Sequence, residues 1–166
     1  MTVVLPHGAL FRKGAEGKIR QALLKQDMLE AVIGLGGNNF YGTQLAACLM
    51  VFKKEKDAVK KDKVLFIDAS DQVRVGRAQS YLEPEHVNQI FEWFNNYDDV
   101  ENYVKVASKE DLKENDYNLN IPLYVEKIIK DNLPSVEEAL SDLKSAWSES
   151  LQAEDKFKTI LKEFLA

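Results

Sequence analysis

A single cysteine excludes an internal disulfide framework and leaves the cytoplasm as the default compartment. Only two histidines occur, His7 and His86, too few and too far apart to form a recognisable metal site. Prolines number four and glycines eight, which excludes a low-complexity or collagen-like chain. No apolar run approaches the roughly 20 residues that a bilayer-spanning helix needs. The opening MTVVLPHGAL has no basic segment before its apolar residues and is not expected to be a secretory signal. No Ser-His-Asp order, zinc spacing or paired-carboxylate motif stands out, so the residues taken alone offer no self-contained catalysis.

What is present is ordinary globular composition: 166 residues, 45% hydrophobic and 30% charged, enough for one domain or one domain with an appendage. The formal charge of −5 argues against strong independent binding to nucleic acid, which needs clustered Lys and Arg. The charge is uneven, however. Residues 53–63, KKEKDAVKKDK, carry six Lys against three acids, whereas the region after Asp98 is acidic. Such a loop is either a solvated hairpin between two strands or the basic face of one component in a DNA-binding assembly.

The pattern predicts a buried strand at Val3-Val4-Leu5, stopped by Pro6. A helix is expected over about Ala15 to Gln26, with Ile19, Ala22 and Leu23 sharing one face. A second strand runs from Leu29 to Leu35, a central one from Leu45 to Phe52, and a fourth from Val64 to Ile67. Glu83-Pro84 opens a helix whose Val87, Ile90, Phe91 and Phe94 share a face. Tyr103 to Val106 reads as a strand, Lys109 to Lys113 as one helical turn, and Asn115 to Pro122 as a loop. Ser135 with Glu138 forms an S-x-x-E capping box. The apolar stripe behind it slips register near Ser150, which predicts either one helix with a stutter or two helices broken near Gln152.

Two local signals are set aside on physical grounds. Gly34-Leu-Gly36-Gly37 follows a strand, but a phosphate loop needs a helix directly after the glycines, and Asn38-Asn39-Phe40 then a strand follow instead. Cys48 lies inside a continuous apolar strand and reads as a core residue rather than a nucleophile.

The order of these segments carries a resemblance. Val3-Val-Leu-Pro-His-Gly-Ala-Leu-Phe11, Gly14-Ala-Glu-Gly-Lys-Ile-Arg20, Leu29-Glu-Ala-Val-Ile-Gly-Leu35, Phe40-Tyr-Gly-Thr43, Ala46 to Phe52, Leu65-Phe-Ile-Asp-Ala69 and Asn115 to Pro122 occur in sequence. Together, over roughly residues 2 to 125, they resemble the second half of the catalytic domain in the modification subunit of type I restriction–modification systems, an adenine-specific DNA methyltransferase. The last forty residues resemble that family only in being helical. Two departures stand out: Gly36-Gly37 replaces a pair of prolines, implying a looser loop, and Leu45-Ala46-Ala47 replaces Ile-Pro-Ala.

The resemblance implies an α/β fold: the C-terminal half of a methyltransferase-type, Rossmann-like sheet with an antiparallel strand (residues 1–80), then a mostly helical region for subunit contact (residues 81–166). It implies methyl transfer from S-adenosylmethionine to adenine N6 in the intact subunit. Nothing here resembles the cofactor loop or catalytic tetrapeptide, so the chain is expected to be a piece of that enzyme, inactive alone and without bound cofactor. Phe40, with Tyr41 as the alternative, is expected to stack on the flipped adenine, since an extruded base needs a π surface in exchange for its neighbours. Pro6, His7 and Gly8 would form the pocket floor, and Lys53, Lys54, Lys60 and Lys61 would approach backbone phosphate. The partners implied are DNA and the specificity and restriction subunits, with no membrane. A non-catalytic module docking its C-terminal helices on a specificity subunit is the alternative. In isolation the chain is expected to form a homo-oligomer through the Val3–Leu5 edge and the long helix.

Overall fold

A computed structural model describes residues 1–40, 43–128 and 134–165. Residues 1–128 form one compact unit and residues 129–166 a second. The first is built on a five-stranded mixed sheet in the order β1-β3-β2-β4-β7. Its strands are β1 (Thr2–Pro6), β2 (Leu29–Leu35), β3 (Ala47–Phe52), β4 (Lys63–Ala69) and β7 (Val104–Ser108), and a separate two-stranded hairpin comprises β5 (Arg74–Val75) and β6 (Ser80–Tyr81). Helices α1 (Gly8–Phe11), α2 (Ala15–Lys25), α3 (Pro84–Asn96) and α4 (Lys109–Glu114) pack around the sheet, and α5 (Val136–Leu165) makes up the second unit.

Strand β2 explains the centre. All seven of its residues are buried, because it is antiparallel to β3 on one side and parallel to β4 on the other. Its alternate side chains feed two cores. Leu29 and Val32 join Leu10, Leu24, Cys48, Phe66, Leu119 and Ile121 on one face; Ala31, Ile33 and Leu35 join Ile67, Ile90 and Trp93 on the other. Each large side chain taken from water contributes about 1.5–3 kcal/mol. Phe66 stacks on Tyr124 at 3.9 Å between ring centroids, and Trp93 on Tyr103 at 5.0 Å.

Several expectations change. The Val3–Leu5 strand is not buried: β1 pairs only with β3, so it is an edge among the described strands, and Val4 is 51% exposed. The inward residues of α2 are Arg20 and Leu24, whereas Ile19 is exposed. Arg20 turns inward because its guanidinium satisfies three carbonyls, donating to Tyr117 O at 2.9 Å, Ala9 O at 3.0 Å and Arg12 O at 3.1 Å. That burial lowers its pKa, with Glu16 and Tyr124 acting in the opposite sense. In α3 the buried residues are Ile90 and Trp93, while Val87 and Phe91 are exposed. The central strand starts at Ala47, leaving Leu45 exposed. The C-terminal stripe lies on one unbroken helix, α5, with no break near Gln152; its capping box closes with Glu138 N donating to Ser135 Oγ at 3.2 Å. Finally, packing does not divide the chain near residue 80. Strand β7 pairs with β4, and α3 covers the sheet, so the first unit runs on to Ile128.

Candidate functional site

Strands β1 and β2 each run antiparallel to β3, and β4 runs parallel to β2, so the C-terminal ends of β1, β2 and β4 share one sheet edge. In open α/β sheets this edge is where ligand crevices form. At this edge lie Pro6 at the end of β1 with His7 and Gly8 following it, the loop from Gly36 after β2, and Ser70-Asp71 after β4.

His7 is held from two sides. Its backbone N–H donates to Ala46 O at 3.4 Å, and its ring Nε2 lies 3.0 Å from Ala47 O, so Nε2 carries the proton. Across from it, Gly34 leaves room: a Cβ there would meet Ile121 Cδ1 at 2.5 Å and His7 Nε2 at 3.6 Å. The missing side chain thus lets the Asn115–Pro122 loop reach under this end of the sheet, with Leu119 and Ile121 buried.

The aromatic loop is better tied than two glycines lead one to expect. Asn39 Nδ2 donates to Gly36 O at 3.0 Å, Asn38 Nδ2 donates to Ala78 O at 3.1 Å, and Ser80 N donates to Asn38 O at 2.9 Å. Gly36 serves close approach and not freedom, since a Cβ there would sit 2.5 Å from Ser70 O. Phe40 forms an isolated antiparallel bridge with Thr43 and keeps 38% of its surface exposed. Tyr41 lies outside the described residues. On the same edge Lys127 Nζ reaches Ser70 Oγ at 2.9 Å, Asp68 Oδ2 at 3.3 Å and Asp71 Oδ2 at 3.4 Å.

The basic loop is not part of this cluster. Because β3 is antiparallel, residues 53–62 emerge at the opposite sheet edge, a strand length of about 20 Å away. Lys53 pairs with Asp57 at 3.0 Å, a hydrogen bond that raises its pKa. Lys60 pairs with Glu30 at 3.1 Å and lies over the Phe94 and Tyr97 rings. Lys54 and Lys61 are exposed, with no ion pair among the described residues. Sequence reasoning missed Asn38, Gln79, Ser80 and Lys127. Only Asn38 carries a local signal, as an asparagine beside two glycines in a turn, and it takes a left-handed φ of 62°.

A mixed parallel–antiparallel α/β sheet with loops gathered at the C-terminal ends of β1, β2 and β4 defines the class. The chain belongs to the N-6 DNA methylase family, which matches residues 1–132. It is 34% identical over 166 residues to the type I restriction enzyme MjaVII methylase subunit of Methanocaldococcus jannaschii, covering 98% of this chain and 28% of that protein. A second relative, the MpnII methylase subunit of Mycoplasma pneumoniae, is 28% identical over 155 residues, covering 87% of this chain and 28% of the relative. Among solved structures, a type I restriction–modification methyltransferase subunit from Streptococcus thermophilus superposes with a TM-score of 0.72 at 40% identity, over 76% of this chain and 26% of that one. The EcoKI M protein gives 0.58 at 21% identity over 92% of this chain and 40% of that one, which speaks to fold alone. The chain thus spans under a third of the length of both curated relatives.

Proposed function

We propose that this chain supplies part of the catalytic domain of a type I restriction–modification methyltransferase that transfers a methyl group from S-adenosylmethionine to adenine N6. The observation that carries the reading is Phe40, an aromatic 38% exposed in the loop after β2, at the same C-terminal end of the sheet as the end of β1. A flipped adenine stacked there keeps the π contact it loses in the duplex. The methylase relatives and the Rossmann-like placement of the antiparallel strand β3 support it.

The glycine-rich turn after β2 does not fit the cofactor. The one glycine-rich turn is filled: a Cβ on Gly36 would meet Ser70 O at 2.5 Å and one on Gly37 would meet Gln44 O at 2.9 Å, and no helix begins there. In this reading S-adenosylmethionine and the reacting atoms are handled by other parts of the subunit. Of the basic loop, Lys54 and Lys61 are the residues free to meet backbone phosphate, while Lys53 and Lys60 already have carboxylate partners.

A second reading rests on α5, which exposes Leu140, Leu143, Trp147, Phe157 and Ile160. It makes the chain a docking module for a specificity or restriction subunit. The two readings are compatible. Methylation by the intact subunit carrying this segment tests the first: Phe40→Ala should lower kcat/KM by the equivalent of about 1–3 kcal/mol, and Phe40→Tyr far less. Equal activity of the two variants removes Phe40 from the site.

A further inference from the structure

We propose that the β5–β6 hairpin is a positioning clamp for the aromatic loop, and that Asn38 is the positioning residue that sets Phe40. This rests, for its purpose, on the base-stacking reading above; its geometry stands without it. The hairpin and the loop are 40 residues apart in sequence yet joined three times. Asn38 Nδ2 donates to Ala78 O at 3.1 Å, Ser80 N donates to Asn38 O at 2.9 Å, and Gln79 Nε2 donates to Asn39 O at 3.5 Å.

Asn38 therefore both gives and accepts a bond, from a left-handed backbone at φ 62° that few side chains tolerate. Asn39 passes the restraint back to the strand end through its bond to Gly36 O at 3.0 Å. The hairpin is itself anchored. Gly76 N donates to Gln79 O at 3.0 Å, Ser80 is buried, and the Arg74 guanidinium lies 4.7 Å from the Tyr81 ring centre. Arg74 also pairs with Glu83, which caps α3, and α3 is fixed through buried Ile90 and Trp93. A continuous path thus runs from a core helix to the residue two before Phe40.

The physical need is plain. Gly36 is held against Ser70 at the strand end, but that contact lies four residues before Phe40, and an aromatic that must receive a base binds best when its position is settled beforehand. The clamp extends that restraint from the strand end to Asn38 and Asn39.

The test uses the full 166-residue chain, isotope-labelled, with amide exchange read at Ser80 and Thr43. Two variants approach the clamp from opposite ends. Asn38→Gly keeps the left-handed backbone and removes the side-chain bond. Gly76→Ala puts a Cβ 2.6 Å from Gln79 O and distorts the hairpin far from Phe40 in sequence. Each should speed exchange at both Ser80 and Thr43 by about fivefold, the equivalent of one lost hydrogen bond, while Ile33 and Ile67 in the central sheet keep their protection. A single-stranded oligonucleotide carrying 2-aminopurine, bound by the intact subunit carrying this segment, provides the spectroscopic arm. Wild type should quench it, Phe40→Ala should not, and Asn38→Gly should weaken the quench several-fold at unchanged melting temperature. Thr43 exchange that stays at the wild-type rate in Gly76→Ala overturns the clamp. An intact wild-type subunit that binds the oligonucleotide without quenching it overturns base stacking instead, and the clamp is then judged on exchange alone.

Discussion

Lys56 is sealed onto Asp27: its Nζ donates to Oδ1 at 2.5 Å, and none of the lysine side chain is exposed. The same ammonium donates to Lys63 O at 2.7 Å, and Asp27 accepts from Asp62 N at 3.1 Å. One ion pair thus staples both ends of the basic loop to the turn before β2. Removing one partner of a buried pair costs about 3–5 kcal/mol when the charge left behind has no water to turn to; loss of Asp27 strands the fully buried Lys56 ammonium, whereas loss of Lys56 strands Asp27, whose side chain is 28% exposed. Asp27→Asn, which keeps the shape and tolerates the residue's left-handed φ of 55°, should therefore destabilise the chain far more than Lys56→Met. Urea midpoints read the difference; the reverse order would mean that the pair is not what closes the loop.

Two glycines at the candidate site make unequal demands. A Cβ on Gly34 meets the far end of Ile121, a side chain that can turn aside, while a Cβ on Gly36 meets the Ser70 carbonyl at 2.5 Å, which is backbone. Gly36→Ala should cost about 1–3 kcal/mol and shift the Phe40 resonances, with Gly34→Ala costing less. Thermal melts and spectra of the two variants decide it, and equal costs would place the strain elsewhere.

The alkaline side of the stability profile follows from buried acids. Burial pushes the Cys48 thiol up to about 11 and the Tyr124 phenol up to about 12, and burial also raises Tyr97. Unfolded, these groups titrate near about 8.5 for a thiol and about 10 for a phenol. Their folded-state values are the higher, so the folded chain holds the extra protons. The stability they contribute is complete below the unfolded values and is lost as pH rises through the folded ones. The urea midpoint should fall steadily from about pH 9 to about pH 12. At neutral pH, Cys48 should react with a thiol reagent only as fast as the chain opens. Stoichiometric labelling of native protein within minutes would contradict both its burial and its raised pKa.

No stretch of this sequence resembles a cofactor loop, and the one glycine turn is filled by its neighbours. Calorimetric titration of the chain with S-adenosylmethionine should give no saturable signal. A dissociation constant below about 100 μM would show that the described residues hold a site after all.

The exposed apolar residues of α5, with Trp147 67% exposed and Phe157 62% exposed, and the open side of β1 should make the isolated chain self-associate. Light scattering should report a mass above the 18.9 kDa of one chain, rising with concentration. Leu143→Glu with Phe157→Glu should return it to a monomer. A single-chain mass at every concentration would sink the expectation.

Much of this protein is legible in its sequence because the signals are local. The apolar run Leu29–Leu35 matches β2 residue for residue, Pro84 marks the first turn of α3, Ser135 with Glu138 caps α5, and Cys48 is the core residue its apolar neighbours imply. The order of segments was enough to point to the N-6 DNA methylase family, which matches residues 1–132. What only the tertiary structure decided depends on partners far away in the chain. Periodicity put Ile19 on the apolar face of α2, but Arg20 is the side chain that turns in, because three carbonyls from other segments give its buried guanidinium the acceptors it needs. Composition made Val3–Leu5 a buried strand, yet burial of a strand depends on having neighbours on both sides, and among the described residues β1 has one. The basic loop and the aromatic loop are nearby in sequence and lie at opposite edges of the sheet, because an antiparallel strand between them reverses the chain. The bonds from the hairpin to Asn38 span 40 residues, and no local pattern encodes them; they exist only because β4 and β2 run in parallel and end side by side.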